Sequence, residues 1–380
     1  MEKTKKTITL LKSSAKYIPP ELLTLIFAPL PVKTLVRFRC VCKYWCSIID
    51  HPDFVSMHHK LCKSNIDSKK LLAFERLGLH GDEGCLLTVR QSNRLGKSAQ
   101  IFKSSKDYSL FGKCNGLFLM YYSSYQLRLW NPSIRKSLAI PSCPLSYNWS
   151  HHVVYLFGYA NDSKDYKIIA ISFEKDESST KKPVRNTWVA VYTLNDKKWR
   201  LRNNHDLNIS CWYFTRMFPD NSYQTTASNA LIFQGAAYWI GNDPNNPDID
   251  SYYESTHLIS LDFDLEKFTY LELPFDLEKK SGFMLRLGES LAVFNPLDVT
   301  APLWVMEQEN KTGAWSRWFS GPLSWDYCEF LDEPTETPVF YYEHFRKLGR
   351  QMSSYSDLDT YLESLVLCKG YGAEDLTSFP

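Results

Sequence analysis

Residues 18–50 read Ile18-Pro-Pro-Glu-Leu-Leu-Thr-Leu-Ile-Phe-Ala-Pro-Leu-Pro-Val-Lys-Thr-Leu-Val-Arg-Phe-Arg-Cys-Val-Cys-Lys-Tyr-Trp-Cys-Ser-Ile-Ile-Asp50, and their spacing decides how the rest of the chain is read. From Pro20 the apolar positions Leu22, Leu23, Ile26, Phe27 and Leu30 recur three and four apart, which draws one wide apolar stripe on a short helix. Pro29 and Pro31 stop that helix, because proline lacks a backbone donor and disfavours helical angles in the residue before it. A second helix is expected from Pro31-Val32, with Leu35, Val36 and Phe38 inward, and a third from near Lys43, carrying Trp45, Ile48 and Ile49. Asp50-His-Pro-Asp53 marks a stop and a fresh start, with Phe54, Val55 and Met57 on the next turn. So small a bundle buries too little surface for comfortable stability alone. Its stripe therefore either packs on the downstream chain or stays exposed for a partner, and the pattern leaves both open.

The 380 residues have 44% hydrophobic content, which is ordinary for a globular chain, and 15% aromatic residues, which favours sheet. A net charge of +2 argues against a dedicated nucleic-acid binder. The charge is uneven. Residues 1–60 hold ten Lys/Arg and four Asp/Glu, a net of +6, so the other 320 carry −4, and the helical head should prefer an acidic partner. Ten Cys lack paired spacing, the N-terminus lacks the apolar run of a signal peptide, and no stretch approaches 18 uninterrupted apolar residues. These features lead to the expectation of a soluble protein in a reducing compartment, the cytoplasm or also the nucleus, with free thiols. Sequons at Asn148, Asn161, Asn208 and Asn310 then read as chance.

From about Leu71 the texture changes to short apolar runs punctuated by Gly, Asn, Asp and Ser. Leu71–Phe74, Cys85–Val89 and Ala99–Phe102 read as strands. A loose repeat of strand, turn, strand, turn, strand ending in proline runs through Asn115–Tyr122, Leu127–Pro132 and Ser137–Pro141. It returns as Gln234–Ile240, Leu258–Asp264 and Phe268–Pro274, and again as Gly288–Phe294, Leu303–Met306 and Ala314–Phe319. Between the first two lie strands at Val153–Gly158, Tyr166–Ile171, Trp188–Tyr192 and Lys198–Leu201, and a weak helical period appears at Phe340–Leu348. Antiparallel units of this size suit β-propeller blades, which bury their faces against neighbours. Leu362–Leu367 is expected as the late strand that closes the ring, and a β-sandwich is the competing architecture.

Ile18-Pro19, Glu21, Leu30-Pro-Val-Lys33, Leu35, Arg37-Phe-Arg-Cys-Val-Cys-Lys43, Trp45 and Pro52-Asp-Phe54, in that order, resemble the F-box of plant F-box proteins. Ile18 stands where leucine is commoner, and Ala28-Pro29 replaces a usual polar pair, so the first helix should be short and docking weakened. Cys114-Asn-Gly-Leu117, Leu129-Trp-Asn-Pro-Ser-Ile-Arg-Lys136, Phe157-Gly-Tyr159, Asp165-Tyr-Lys-Ile168, Tyr192-Thr-Leu194, Trp199-Arg200, Gly235-Ala-Ala-Tyr-Trp239, Ile259-Ser-Leu-Asp-Phe263 and Glu266-Lys-Phe268 resemble the F-box-associated, kelch-like domain of the same proteins. Glu363-Ser-Leu-Val366 is similar to the close of S-locus-type members, the pollen determinants that recognise secreted ribonucleases. The resemblance implies a tail at 1–16, an F-box at 17–60, a linker at 61–70, the β domain at 71–370 and a tail at 371–380. It implies docking to a small acidic Skp-type adaptor of a cullin-RING ubiquitin ligase through Pro19, Leu22, Leu23, Ile26, Leu30, Pro31, Leu35, Val41 and Trp45. The chain is then a non-catalytic substrate receptor that needs no cofactor. The alternative is a glycan-binding or enzymatic propeller.

Chemistry of the chain's own is not signalled. Triad, P-loop and His-Glu-x-x-His spacings do not occur. Cys40, Cys42 and Cys46 have no second pair to complete a zinc site and read as buried, inert helical thiols. His58-His59 and His151-His152 read as solvated or capping residues, and Asp262 with Asp264 as turn-forming acids. Two stretches interleave acids with aromatics and contain no Lys or Arg. Gly241–Glu254 includes Asp243, Asp248, Asp250, Tyr252 and Tyr253, and Gly321–Glu336 includes Trp325, Tyr327, Asp332 and Glu333. Such stretches either solvate a surface or form an acidic, aromatic rim for a basic protein such as a ribonuclease.

Overall fold

A computed structural model describes residues 18–64, 70–76, 85–91, 98–104, 108–122, 126–145, 151–175, 184–202, 230–241, 257–274, 283–287, 290–294, 303–306, 314–319, 356–367 and 374–375. The head has the three expected helices, α1 (Pro20–Phe27), α2 (Val32–Phe38) and α3 (Lys43–Ile49), and the turn expected at Phe54 extends into a longer α4 (Pro52–Ser64). Pro20 opens α1 at a position where the missing N–H costs nothing, and Glu21 faces the positive end of the helix dipole. Ala28 keeps helical angles (φ −53°, ψ −41°) and its N–H still bonds Thr24, so Pro29 ends α1 by lacking a donor rather than by bending the residue before it.

Leu23 and Phe27, four apart on α1, enter a core with Val32, Leu35, Ile48, Ile49 and Phe54. Phe27, Phe38 and Trp45 form a ring triangle with centroids 5.1–5.6 Å apart. Arg39 grips Asp50 with two hydrogen bonds, 2.6 Å from Nε and 3.0 Å from Nη2, and thereby pins the end of α2 to that of α3.

The body contains twenty-one described strands. The first group is β1 (Lys70–Arg76), β2 (Cys85–Gln91) and β3 (Ser98–Ser104). Next come β4 (Tyr108–Cys114), β5 (Leu117–Tyr122), β6 (Gln126–Asn131) and β7 (Lys136–Ala139), then β8 (His151–Ala160), β9 (Asp165–Lys175), β10 (Val184–Thr193) and β11 (Lys198–Arg202). They are followed by β12 (Leu231–Phe233), β13 (Ala236–Gly241), β14 (His257–Asp262) and β15 (Phe268–Glu272). The last are β16 (Phe283–Leu287), β17 (Ser290–Phe294), β18 (Leu303–Met306), β19 (Trp315–Phe319), β20 (Ser356–Tyr361) and β21 (Glu374–Asp375).

Among the described residues these strands make five antiparallel sheets, four of them sequential: β4 to β7, β8 to β11, β12 to β15 and β16 to β19. The remaining sheet joins β20 from the far end of the chain to β1, β2 and β3, and β21 adds to the edge of β7. This is the blade architecture of a propeller, not two packed sheets of a sandwich. Each repeat read from the sequence coincides with three strands of one sheet. The inner strands β4, β12 and β16 stand outside the repeat and carry no distinct signal of their own.

Neighbouring blades are latched by repeated devices. Trp199 Nε1 on β11 donates to Pro141 O at 2.8 Å, and Trp315 Nε1 on β19 donates to Glu272 O at the same distance. Lys167, buried on β9, donates to Phe263 O at 2.7 Å and to Glu266 Oε1 at 2.8 Å in the next blade, and Arg200 and Arg202 converge on the same carboxylate. Asp262 caps its own turn by accepting from the Asp264 and Leu265 amides, while Asp264 accepts from the Asp162 and Ser163 amides across the blade boundary. The two acids therefore work as turn-formers.

The segment expected as the closing strand is not one. β20 closes the sheet, and residues 362–367 follow it as coil and turn, with Leu367 at φ +72°. A strand buried on one face alternates apolar and polar residues, whereas Leu365, Val366 and Leu367 are all buried in succession, between head and body. The weak helical period at Phe340–Leu348 lies outside the described residues.

Candidate functional site

The docking residues expected from sequence divide into two sets. Leu23 and Leu35 are in the head core, and Leu30 and Trp45 are half-buried against it. Pro19, Leu22, Ile26, Pro31 and Val41 are exposed. Leu22 is 52% exposed, Ile26 53% and Val41 60%, and α1 adds a residue the stripe overlooked, Leu25 at 67%. Helix α1 is thus apolar on two faces. Leu23 and Phe27 face in, while Leu22, Leu25 and Ile26 form a second stripe at i, i+3 and i+4 facing out. The readable signal was the excess itself, since a surface helix needs only one apolar face.

Cys40 and Cys42 correct the expectation of buried helical thiols. Both are exposed in the turn between α2 and α3, flanking Val41, because the chain must leave α2 and restart there. Cys42 caps α3, its sulfur accepting from the Trp45 amide at 3.4 Å. Cys46 alone of the three is within a helix, with its thiol on Asp50 at 3.3 Å.

His58 and His59 also differ from expectation. His58 is buried on α4, and its Nε2–H donates to the Leu30 carbonyl at 2.9 Å, which leaves Nδ1 to accept from the Cys62 thiol. Burial lowers its pKa. Burial, with Lys63 nearby, pushes His59 down to about 4. These histidines are structural groups in the head, held neutral. The side chains of His151 and His152 lie outside the described residues. Burial likewise pushes the thiols of Cys114 up to about 12 and Cys143 up to about 11, so neither is a nucleophile.

The acidic and aromatic residues expected to bind a target, Asp243, Asp248, Asp250, Tyr252, Tyr253, Trp325, Tyr327, Asp332 and Glu333, lie outside the described residues. Their points of departure are described. The β13–β14 ladder ends at Gly241 paired with His257, opposite the Ala236–Asp262 end, whose turn touches residues 162 and 163. Strand β20 begins at Ser356 opposite Glu75 and ends at Tyr361 opposite Lys70, where the head's chain enters. Residues 242–256 therefore leave from and return to the Gly241–His257 end of that ladder, and the chain enters β20 at the Ser356 end, opposite the Lys70 end.

Residues 17–56 match the F-box domain and residues 53–348 the F-box associated beta propeller domain. The chain belongs to this family of F-box proteins. One relative, the F-box/kelch-repeat protein At3g23880 of Arabidopsis thaliana, is 24% identical over 83% of this chain and 82% of its own length. Another, F-box protein CPR1 of the same plant, is 23% identical over 80% and 72%. Among solved structures TolB from Acinetobacter baumannii superposes at a TM-score of 0.37 with 10% identity, over 71% of this chain and 58% of that one. Among the described residues of the matched F-box region, the exposed stripe of α1, Val41 in the Cys40–Cys42 turn and Ile18 are the large apolar side chains left exposed, and the core face is already occupied. Among the described residues no helix is long and apolar enough to cross a membrane.

Proposed function

We propose that this F-box protein is a substrate receptor of a cullin-RING ubiquitin ligase, acting in the cytoplasm or nucleus without chemistry of its own. Its head binds an acidic Skp-type adaptor, and its propeller holds a target protein. The observation that carries this reading is the outward stripe of Leu22, Leu25 and Ile26 with Val41, an apolar surface on a head that together with residues 1–16 carries a net charge of +6 and whose other face is already filled. Of the residues expected from sequence, Pro19, Leu22, Ile26, Pro31 and Val41 make the contact, while Leu23, Leu30, Leu35 and Trp45 shape the surface from beneath. Pro29 ends α1 without removing any of the exposed positions, so docking should survive it. Ubiquitin transfer then follows from proximity, the receptor raising the local concentration of target lysines near the ligase.

For the target, the reading is a basic protein bound at the end of the body away from the head, a secreted-type ribonuclease being the class the family resemblance suggests. Support comes from the acid-aromatic composition of Gly241–Glu254 and Gly321–Glu336 and from the ladder ends to which they are tethered. Two measurements test the scheme. Purified chain should capture a Skp-type adaptor, and a chain that captures none removes the receptor reading. Neutralising Asp243, Asp248, Asp332 and Glu333 together should slow association with a basic target at low salt, and an unchanged rate excludes the acidic rim.

A further inference from the structure

The segment after β20 does two jobs at once. Asn131, fully buried at the end of β6, donates both Nδ2 hydrogens to it, to Ser364 O at 2.9 Å and Val366 O at 2.8 Å, across more than 230 residues of sequence. Its Oδ1 accepts from the Ser133 amide at 2.9 Å, so both polar atoms of the side-chain amide have partners. Ser133 Oγ accepts in turn from the Ser364 amide at 3.1 Å. Gly116, in the β4–β5 turn at φ +77°, lets the segment pass so closely that a Cβ there would lie 2.5 Å from Ser364 Cβ and 2.6 Å from Leu362 O. The segment is thereby fixed to one blade of the body.

Its side chains then point to two different cores. Val366 and Leu367 belong to the main core of the propeller. Leu365, 2% exposed, belongs to the core of the head, with Leu23, Phe27, Leu35 and Ile49. Ile134 and Val55 pack against both cores and extend the same junction. A residue near the far end of the chain thus completes the small helical core that carries the outward stripe.

We infer that residues 362–367 are a clasp that sets the orientation of the F-box head relative to the target-bearing body, with Leu365 as its positioning residue for ubiquitin transfer. This rests on the receptor reading for its consequence but not for its structural content. A receptor that works by proximity transfers well only if the angle between adaptor and target is held, because misplacement dilutes the productive geometry. The covalent connection from α4 to β1 is the five-residue stretch 65–69, and the clasp adds to it a non-covalent hold from the other end of the chain.

The test places spectroscopic labels, introduced by an unnatural amino acid, at exposed Lys33 in the head and exposed Lys164 in the body, and reads their distance distribution. Wild-type protein should give one narrow distance. L365S should broaden the distribution about twofold or more, and because Leu365 is part of the head core a thermal melt of the variant is read alongside it. The milder N131A, which removes the two clasp hydrogen bonds and leaves Leu365 in place, should broaden it less, and L365M should restore the narrow distance. In a ligase reconstituted with the adaptor, L365S should spread ubiquitin over more of the receptor's own lysines than wild type does. Unchanged narrow distances in both L365S and N131A overturn the clasp. Absence of adaptor capture by wild type instead removes the receptor reading and leaves the distance result standing.

Discussion

Gly158 and Phe263 are in such close contact that a Cβ on the glycine would lie 2.1 Å from the ring edge. The two come from adjacent blades, β8 and the β14–β15 turn, and the ring is fully buried with no room to retreat. G158A should therefore overpack the blade boundary and cost about 1–3 kcal/mol, read as a lower denaturant midpoint with an unchanged slope. Pairing it with Phe263→Leu should recover part of the loss if the ring is the obstacle.

Faces of α1 can be separated by substitution. L25D or I26D should weaken adaptor capture at least tenfold with little change in melting temperature, because these side chains touch solvent in the free protein. L23A should do the opposite, costing about 2–5 kcal/mol of head stability through the cavity it leaves. Titration calorimetry and thermal melts on the three variants decide between them.

Glu266 is shared by Lys167, Arg200 and Arg202 at the same blade boundary. E266A strands the buried Lys167 ammonium on a single carbonyl, and should cost about 3 kcal/mol or more. Replacing Lys167 and Glu266 together by apolar residues should cost much less than E266A alone. A double-mutant cycle in urea measures the difference.

Stability should fall on the acid side of neutrality. His59 titrates at about 4 in the folded chain against 6.5 unfolded, because burial disfavours its charged form. Between those values the unfolded chain binds a proton that the folded head refuses, so stability is full above about pH 6.5 and is lost as pH falls toward 4. Buried His58 shifts in the same direction. Melts of wild type and H59Q across this range should diverge, the variant losing less on acidification.

Much of this architecture could be read in advance. Pro20, Pro29 and Pro31 punctuated the helices, and the repeat of apolar runs separated by Asn-Gly, Asn-Pro and Asp-rich turns matched three strands in each of three sheets. Asn115-Gly116 takes positive φ at both positions, 49° and 77°, as a two-residue hairpin turn requires. The inner strands were harder to see, because Tyr108–Cys114 and Phe283–Leu287 lack clean alternation of apolar and polar residues. Cys40 and Cys42 were misjudged because their burial depends on where α2 ends, and the histidines of α4 because a polar residue inside a core needs a partner, Leu30 O, that is distant in sequence.

The sequence alone determined the three short helices of the head and most of the strands of the body, because period, proline and turn chemistry act over a few residues. It also marked the F-box motif and the excess of apolar side chains on α1. Tertiary structure alone decided which of those side chains remain free. That choice depends on what fills the other face of the helix, and one part of the filling, Leu365, arrives from the opposite end of the chain, carried there by β20 and held by Asn131. Which of the two apolar faces of α1 is buried depends on contacts across long sequence separations, and the local pattern does not choose between them.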